Sequence, residues 1–468
     1  MHSSPDDTTL VPAGPSTQPS DGQEVALSLT WSAHEPERVG ELIRPPLGKS
    51  TFGRATKQRA PGIQPLTLWQ VRPTQQTDTG PLRSPHVSRY QLSFTADEQG
   101  LCVSCRGRGT LLVNNKSVSS TLLSPGDRVR VAGLFSLLVC TRPRDWHATQ
   151  VAPSFTYGRV DPDGMVGESV ASWQLRRAIL DVGSVTGHVL VHGPSGSGKE
   201  LVVRAVHRTS PRHSRDLVAR NAATLVDTAL FGRLCNDPDP SADLPGLLGV
   251  AHGSTLFLDE IGEMPHPLQA RLLRVMDSGE YQQLGGTRAY QTNTRIIGTT
   301  NRLLDALKPE FSARFTHRIC VPSLQDRLED VPLIARELIR QLTHENPQLQ
   351  EQFLCDGEPQ FSEELIDMLL TLPFRTHVRE ARNLLWHSVR HSRGKHLQAP
   401  SILSVYPSPS KSEAVVDRTT GFTRDDVLAT LENVGWVREQ AWRALGLRNR
   451  YQLRRLLNRL DITSPKQS

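Results

Sequence analysis

The chain holds 468 residues, and at roughly 150 residues per domain it should divide into about three units rather than fold around one core. Lysine and arginine number 54 against 48 aspartates and glutamates, a net charge of +6 that permits a polyanionic partner without demanding one. No apolar run approaches the roughly 18 residues of a membrane span, and the opening MHSSPDDTTL has neither a basic start nor a hydrophobic stretch, so membrane insertion and secretion are not expected.

Six cysteines, of which only Cys102 and Cys105 are close in sequence, form neither a disulfide framework nor a complete zinc site. Reduced thiols in a cytoplasmic protein are the expectation. Residues 1–24 are rich in Ser, Pro, Thr and Asp and bury too little apolar surface to offset ordering entropy, which predicts a disordered tail.

From 25 to 141 short β-like runs (LCVSC, TLLVNN, RVRVAGLFSLLV) alternate with turn signals such as SPGD, the pattern of an all-β sandwich. Phe52-Gly53-Arg54, Ser88-Arg89, Gly109-Thr110, Val113-Asn114 and SPGDRVRVAG together resemble a forkhead-associated (FHA) phosphothreonine-binding domain. Arg54 and Arg89 would offer charge-assisted donors to a phosphate and Ser88 a hydroxyl. Gln91 stands where the family has a structural histidine, and Arg108 where an asparagine grips the peptide backbone. A sandwich kept for packing or dimer contacts is the alternative to one that binds a phosphothreonine protein.

Residues 142–163 read as a linker. From 164 to 393 apolar strands (HVLVHG, TLFLDE, TRIIGTT) alternate with helical runs, which predicts a parallel sheet flanked by helices, with a helical lid from about 323. Gly193-Pro194-Ser195-Gly196-Ser197-Gly198-Lys199-Glu200 lies between a strand and a helix. Glycines let successive N–H groups turn onto a phosphate, the helix adds its positive end, and Lys199 reaches the β/γ-phosphates of a nucleoside triphosphate. Glu200 stands where the general motif has Ser or Thr. Downstream, the apolar strand ending in Asp259-Glu260 puts one acid where it can hold Mg²⁺ and the other where it can polarise water against the γ-phosphate of ATP.

At this point the segment 164–393 resembles the AAA+ ATPases of bacterial enhancer-binding proteins, activators of sigma-54 RNA polymerase. GPSGSGKELVVRAVH, LFLDEIGEMP, LQARLLRVMDSGEYQQLGGT and TRIIGTTNR follow in that family's order, and its loop also carries Glu after the Lys. The resemblance implies that Asn221 restrains the catalytic Glu260, that Asn301 is the first sensor, and that Arg379 reaches the γ-phosphate from the lid. It also implies a homo-oligomer, a hexamer or heptamer, with Arg318 completing a neighbour's site. Two departures stand out. Residues 233–245 (RLCNDPDPSADLP) contain no GAFTGA and no aromatic, and Ser312 replaces the first of two trans-acting arginines, with Arg314 displaced by two. A regulator whose nucleotide pocket only sets assembly is therefore the alternative to one that remodels the sigma-54 holoenzyme of RNA polymerase; a metabolic P-loop kinase would leave the basic end unexplained.

After a second linker at 394–420, residues 421–462 carry helical periodicity broken at Gly446. Between Arg438 and Arg459 seven arginines face one acid, Glu439, so this stretch alone supplies +6. Ala441, Ala444 and Leu445 would form one apolar face and Leu453, Leu456, Leu457 and Leu460 another, two helices across a turn. Arg448, Asn449, Arg450, Tyr451 and Gln452 would open a recognition helix for an upstream promoter element, with Arg454, Arg455 and Arg459 reaching bases or phosphates. The layout resembles the Fis-type helix-turn-helix. The fold class expected is thus multidomain: an FHA-like sandwich, an α/β AAA+ P-loop ATPase with a helical lid, and a small all-α helix-turn-helix.

Overall fold

The computed structural model describes residues 22–55, 61–98, 100–144, 154–233, 245–302 and 307–400, together with scattered positions between 427 and 457. Two compact units are separated at Pro400. Among the described residues no helix is long and apolar enough to cross a membrane.

Alternating burial along the amino-terminal strands builds two facing sheets. The longer one is centred on Gln23–Ser32, antiparallel to Phe135–Pro143, and the shorter one holds Gly48–Phe52, Leu92–Asp97 and Gly100–Cys105. Phe52 from one sheet meets Phe135 from the other edge-to-face at 5.6 Å. Both are fully buried among Leu27, Leu29, Phe94 and Leu137, and each such side chain contributes about 2–3 kcal/mol by leaving water. The first strand begins at Gln23 and the last runs to Pro143, just beyond the 25–141 read from composition, because β-ladder pairing of Gln23 with Pro143 carries polar ends that hydropathy does not mark.

Five strands make a fully parallel sheet in the order Leu217–Asn221, Thr255–Asp259, Arg295–Thr300, Val189–His192, His317–Cys320. The apolar runs HVLVH and TLFLD are buried on both faces, as a helix-covered parallel sheet requires. Helices Val331–Thr343, Pro347–Phe353, Glu363–Thr371 and His377–His391 form the lid. The lid extends past 393: Leu397 is wholly buried, its N–H donates to Gln360 O at 2.7 Å, and its carbonyl accepts from Ser362 N.

The sandwich is docked on the ATPase-like part rather than hung from a loose linker. Residues 154–168 are held in place by Arg72, whose guanidinium lies over the Phe155 ring at 4.2 Å and bonds Glu168 at 2.5 Å. Trp31 Nε1 donates to Phe361 O at 2.8 Å. Arg130 and the Gly133 N–H both bond Glu363, while Arg128 and Asn115 bond Asp367.

In the second unit Val427, Leu428, Thr430, Leu431, Ala441, Ala444 and Leu457 are helical. Ala441 and Leu445 are buried, whereas Ala444 is exposed, so the apolar face expected there is narrower. Arg448, Asn449, Arg450, Tyr451, Gln452, Arg454, Arg455 and Arg459 lie outside the described residues, as do the 1–21 tail and residues 234–244 of the variant loop.

Candidate functional site

The carboxyl ends of adjacent parallel strands bring the chemistry together. Val189–His192 feeds the loop 193–198, and the helix Lys199–Arg208 starts directly after it. Gly196 and Gly198 sit at φ +75° and +103°, where a side chain would be strained and where the backbone amides are freed to line a concave anion cradle. The Lys199 ammonium lies across its own loop, donating to Gly193 O at 3.0 Å and Pro194 O at 2.9 Å. Burial lowers its pKa, opposed by the Asp259 and Glu260 carboxylates, while Arg379 adds to the lowering. One cation, two acids and the lid arginine thus share a single electrostatic neighbourhood. Ser197 is buried and its hydroxyl closes on Pro194 O, whereas Glu200 is exposed and paired with Arg204 at 2.8 Å, on the outer face of its helix.

Asp259 ends its strand and accepts through one oxygen, Oδ1, from the Thr299 hydroxyl and from the Glu260 N–H at 3.1 Å. Its other oxygen has no hydrogen bond among the described residues and is available to a hard cation. A carboxylate at this edge is the donor type that Mg²⁺ takes, so the residues fit that ion. Glu260 adopts a left-handed backbone, φ 54° and ψ 47°, at a cost of about 1–2 kcal/mol, which turns its side chain out of the strand direction. Asn221, at the end of the neighbouring strand, donates from Nδ2 to Glu260 Oε2 at 3.4 Å and accepts from Ala223 N with its own Oδ1.

The lid closes on the same loop. Val378 N donates to Gly196 O at 3.1 Å and Arg327 Nη2 to Ser197 O at 3.1 Å. A Cβ on Gly196 would stand 2.2 Å from Thr376 O and 3.2 Å from the Arg379 Cβ, so Arg379 is brought to the loop. Asn301 is exposed, directly after the strand Arg295–Thr300. Arg318 is exposed on the outermost strand, where Nη2 donates to Ser312 Oγ at 3.3 Å, and Arg314 is paired with Asp277. Two contributors were not read from the sequence. Thr299 could have been noticed as the first hydroxyl of the GTTN run, but Arg327 carries no local signal.

In the sandwich, Arg54, Ser88 and Arg89 come together. Arg54 N donates to Ser88 O and Ala55 N to Arg89 O, both at 3.2 Å, and a Cβ on Gly53 would meet those two carbonyls at 2.5 Å. Gln91, wholly buried, ties the loop inward: Oε1 accepts from Ser88 N at 3.0 Å and Nε2 donates to Arg108 O at 2.6 Å.

Residues 165–325 match the sigma-54 interaction domain. The chain is 31% identical over 345 residues to a Nif-specific regulatory protein of Klebsiella pneumoniae, covering 69% of this chain and 63% of that protein. It is also 31% identical over 310 residues to the transcriptional regulatory protein ZraR of Salmonella typhimurium, covering 63% of this chain and 68% of the relative. The chain belongs to the sigma-54-interacting transcriptional regulators. A crystal structure of NtrX from Brucella abortus in complex with ATP is 26% identical, covering 65% of this chain and 70% of that one, with a TM-score of 0.46. The chain spans 60–63% of the length of the Nif-specific relatives first matched. Within this family of regulators, the matched segment holds the loop, both acids, Asn221, Asn301 and Arg318; Arg327 and Arg379 lie beyond it.

Proposed function

We propose that this chain is an ATP-hydrolysing, DNA-tethered regulator of sigma-54-dependent transcription, with its sandwich as the sensory module. The observation that carries the reading is the arrangement of Lys199, Asp259, Glu260 and Asn221 at one sheet edge under a lid that touches the loop. Loop amides and Lys199 bind the triphosphate. Asp259 holds Mg²⁺, which when bound offsets phosphate charge. Glu260 orients the attacking water, and Asn221 holds that carboxylate aside. Arg379 in cis and Arg318 from a neighbouring subunit meet the γ-phosphate, so turnover depends on assembly. Arg448 to Arg459 grip promoter DNA, and Arg54, Ser88 and Arg89 receive a phosphothreonine.

The test is ATP turnover of wild type, Glu260→Gln and Arg318→Ala across protein concentration. Rates rising with concentration in wild type and lost in both variants support the reading; a zero rate in all three refutes the enzyme. Binding of an upstream promoter fragment by the full chain, but not by one ending at Thr420, supports the DNA role, and equal binding removes it. A second reading has one specific support: with Ser312 in place of an arginine, and bonded to Arg318, hydrolysis can be slow while nucleotide still sets assembly.

A further inference from the structure

Six arginines of the sandwich, Arg38, Arg44, Arg72, Arg128, Arg130 and Arg142, each face a carboxylate. Four others do not. Arg54, Arg89, Arg106 and Arg108 are exposed and have no acidic partner among the described residues. Their backbones converge on one short segment. Arg54 N bonds Ser88 O, Arg106 N and Gly107 N both bond Gln91 O at 2.9 and 3.0 Å, and Arg108 N bonds the Ser88 hydroxyl at 3.2 Å. Gly107 is needed there, since a Cβ would stand 2.6 Å from both Gln91 Oε1 and Ser88 Oγ. The sequence offers no compensation: no acid occurs from 42 to 77, from 79 to 96 or from 99 to 126.

Four like charges on adjoining loops raise the local positive potential, which an anionic ligand relieves. The guanidinium fork matches tetrahedral phosphate and planar carboxylate bidentately. The four arginines come from three separate stretches of chain, with Arg54 N on the Ser88 carbonyl and Arg108 N on the Ser88 hydroxyl. The docking contacts to the lid use Trp31, Asn115, Arg128, Arg130 and Gly133 instead.

We infer that the sandwich selects a phosphorylated protein segment bearing further acidic groups beside the phosphate, with Arg54 and Arg89 on the phosphate and Arg106 and Arg108 on the flanking acids. This rests on the phosphate-reading role proposed above for Arg54, Ser88 and Arg89. The charge-assisted pairs at Arg106 and Arg108 replace the backbone grip of a neutral amide, so the partner is chosen by charge density next to the phosphate.

Fluorescence anisotropy on the full chain decides it, with three labelled peptides: one phosphothreonine with neutral flanks, the same with two glutamates on each flank, and the glutamate peptide without phosphate. The glutamate-flanked phosphopeptide is expected to bind about tenfold tighter than the neutral one, from about 1.4 kcal/mol of added pairing. Arg106→Ala/Arg108→Ala should erase that ratio while leaving the neutral phosphopeptide unchanged and thermal melting intact. Equal affinity of the two phosphopeptides, or equal loss of both in the double variant, overturns the inference while sparing the phosphate-reading role. Binding of the unphosphorylated acidic peptide as tightly as the phosphorylated one, or of none of the three, overturns both.

Discussion

The Val378 N–H donates to the Gly196 carbonyl at 3.1 Å, so the first turn of a lid helix is fastened to the tip of the phosphate loop. Gly196 is at φ +75°, and a Cβ there would lie 2.2 Å from Thr376 O. Gly196→Ala should therefore push lid and loop apart, weakening binding of a fluorescent ATP analogue by tenfold or more, since misplacement of about 1 Å can cost that much. Affinity within twofold of wild type would show that the contact is incidental.

Thr299 is wholly buried, and its hydroxyl bonds Asp259 and accepts from the Glu260 amide at 3.2 Å. Replacing it with valine removes the hydroxyl donor to the carboxylate, while the amide keeps Asp259 Oδ1, at about 1–3 kcal/mol. The expected result is a higher magnesium concentration for half-maximal nucleotide binding, restored by Thr299→Ser. Titration of nucleotide affinity against magnesium reads this without relying on turnover.

Glu363 opens a lid helix behind its Ser362 cap and receives Arg130 at 2.8 Å and the Gly133 amide at 3.0 Å. Burial works against the Arg130 charge, but the bond to and charge of Glu363, with the charges of Asp367 and Glu364, more than offset it, and its pKa is raised. Glu363→Ala leaves the half-buried guanidinium to Asp367 at 3.7 Å and Asn115 Oδ1 at 2.7 Å and should cost about 1–3 kcal/mol in stability. Arg130→Ala/Glu363→Ala should cost less than the sum of the single changes, and additive values in a denaturation cycle would deny the pair any coupling.

His207 is buried, with Nδ1 against the Thr255 hydroxyl at 3.0 Å and Nε2 against Arg215 O at 2.9 Å. Burial lowers its pKa below 6.5, a carbonyl bond opposes this, and Arg295 reinforces it. Below that value the unfolded chain binds a proton that the folded chain refuses, so stability present above pH 6.5 falls as pH drops toward the folded pKa. His207→Gln should flatten the slope of unfolding free energy between pH 7 and 5.

Much of the proposed nucleotide site is legible in the sequence because its parts are local. A glycine-rich run before a helix, an apolar strand ending in two acids, and asparagines at strand ends are each written in a few consecutive residues. The alternating pattern of the sandwich was legible for the same reason. What escaped depends on contacts between distant positions. Arg327 reaches Ser197 across 130 positions, and Trp31 reaches Phe361 across 330, with no periodicity to announce either. Residues 154–163, read as linker, contain Asp161, buried and paired with Arg176 at 2.8 Å; a short polar stretch looks like a connector until its partner is known. Gln91 likewise looked like a lost histidine, yet it bonds both neighbouring loops.

The docking of the sandwich means that residue 164 is no energetic border. Glu168, Glu329, Glu363 and Asp367 are each neutralised by an arginine that precedes it: Arg72, Arg142, Arg130 and Arg128. A fragment cut at that point would carry four anions stripped of their counter-charges on the flank where base and lid meet. Its melting point and the seating of its lid would belong to a different molecule, so kinetics gathered on such a piece would not transfer to the whole.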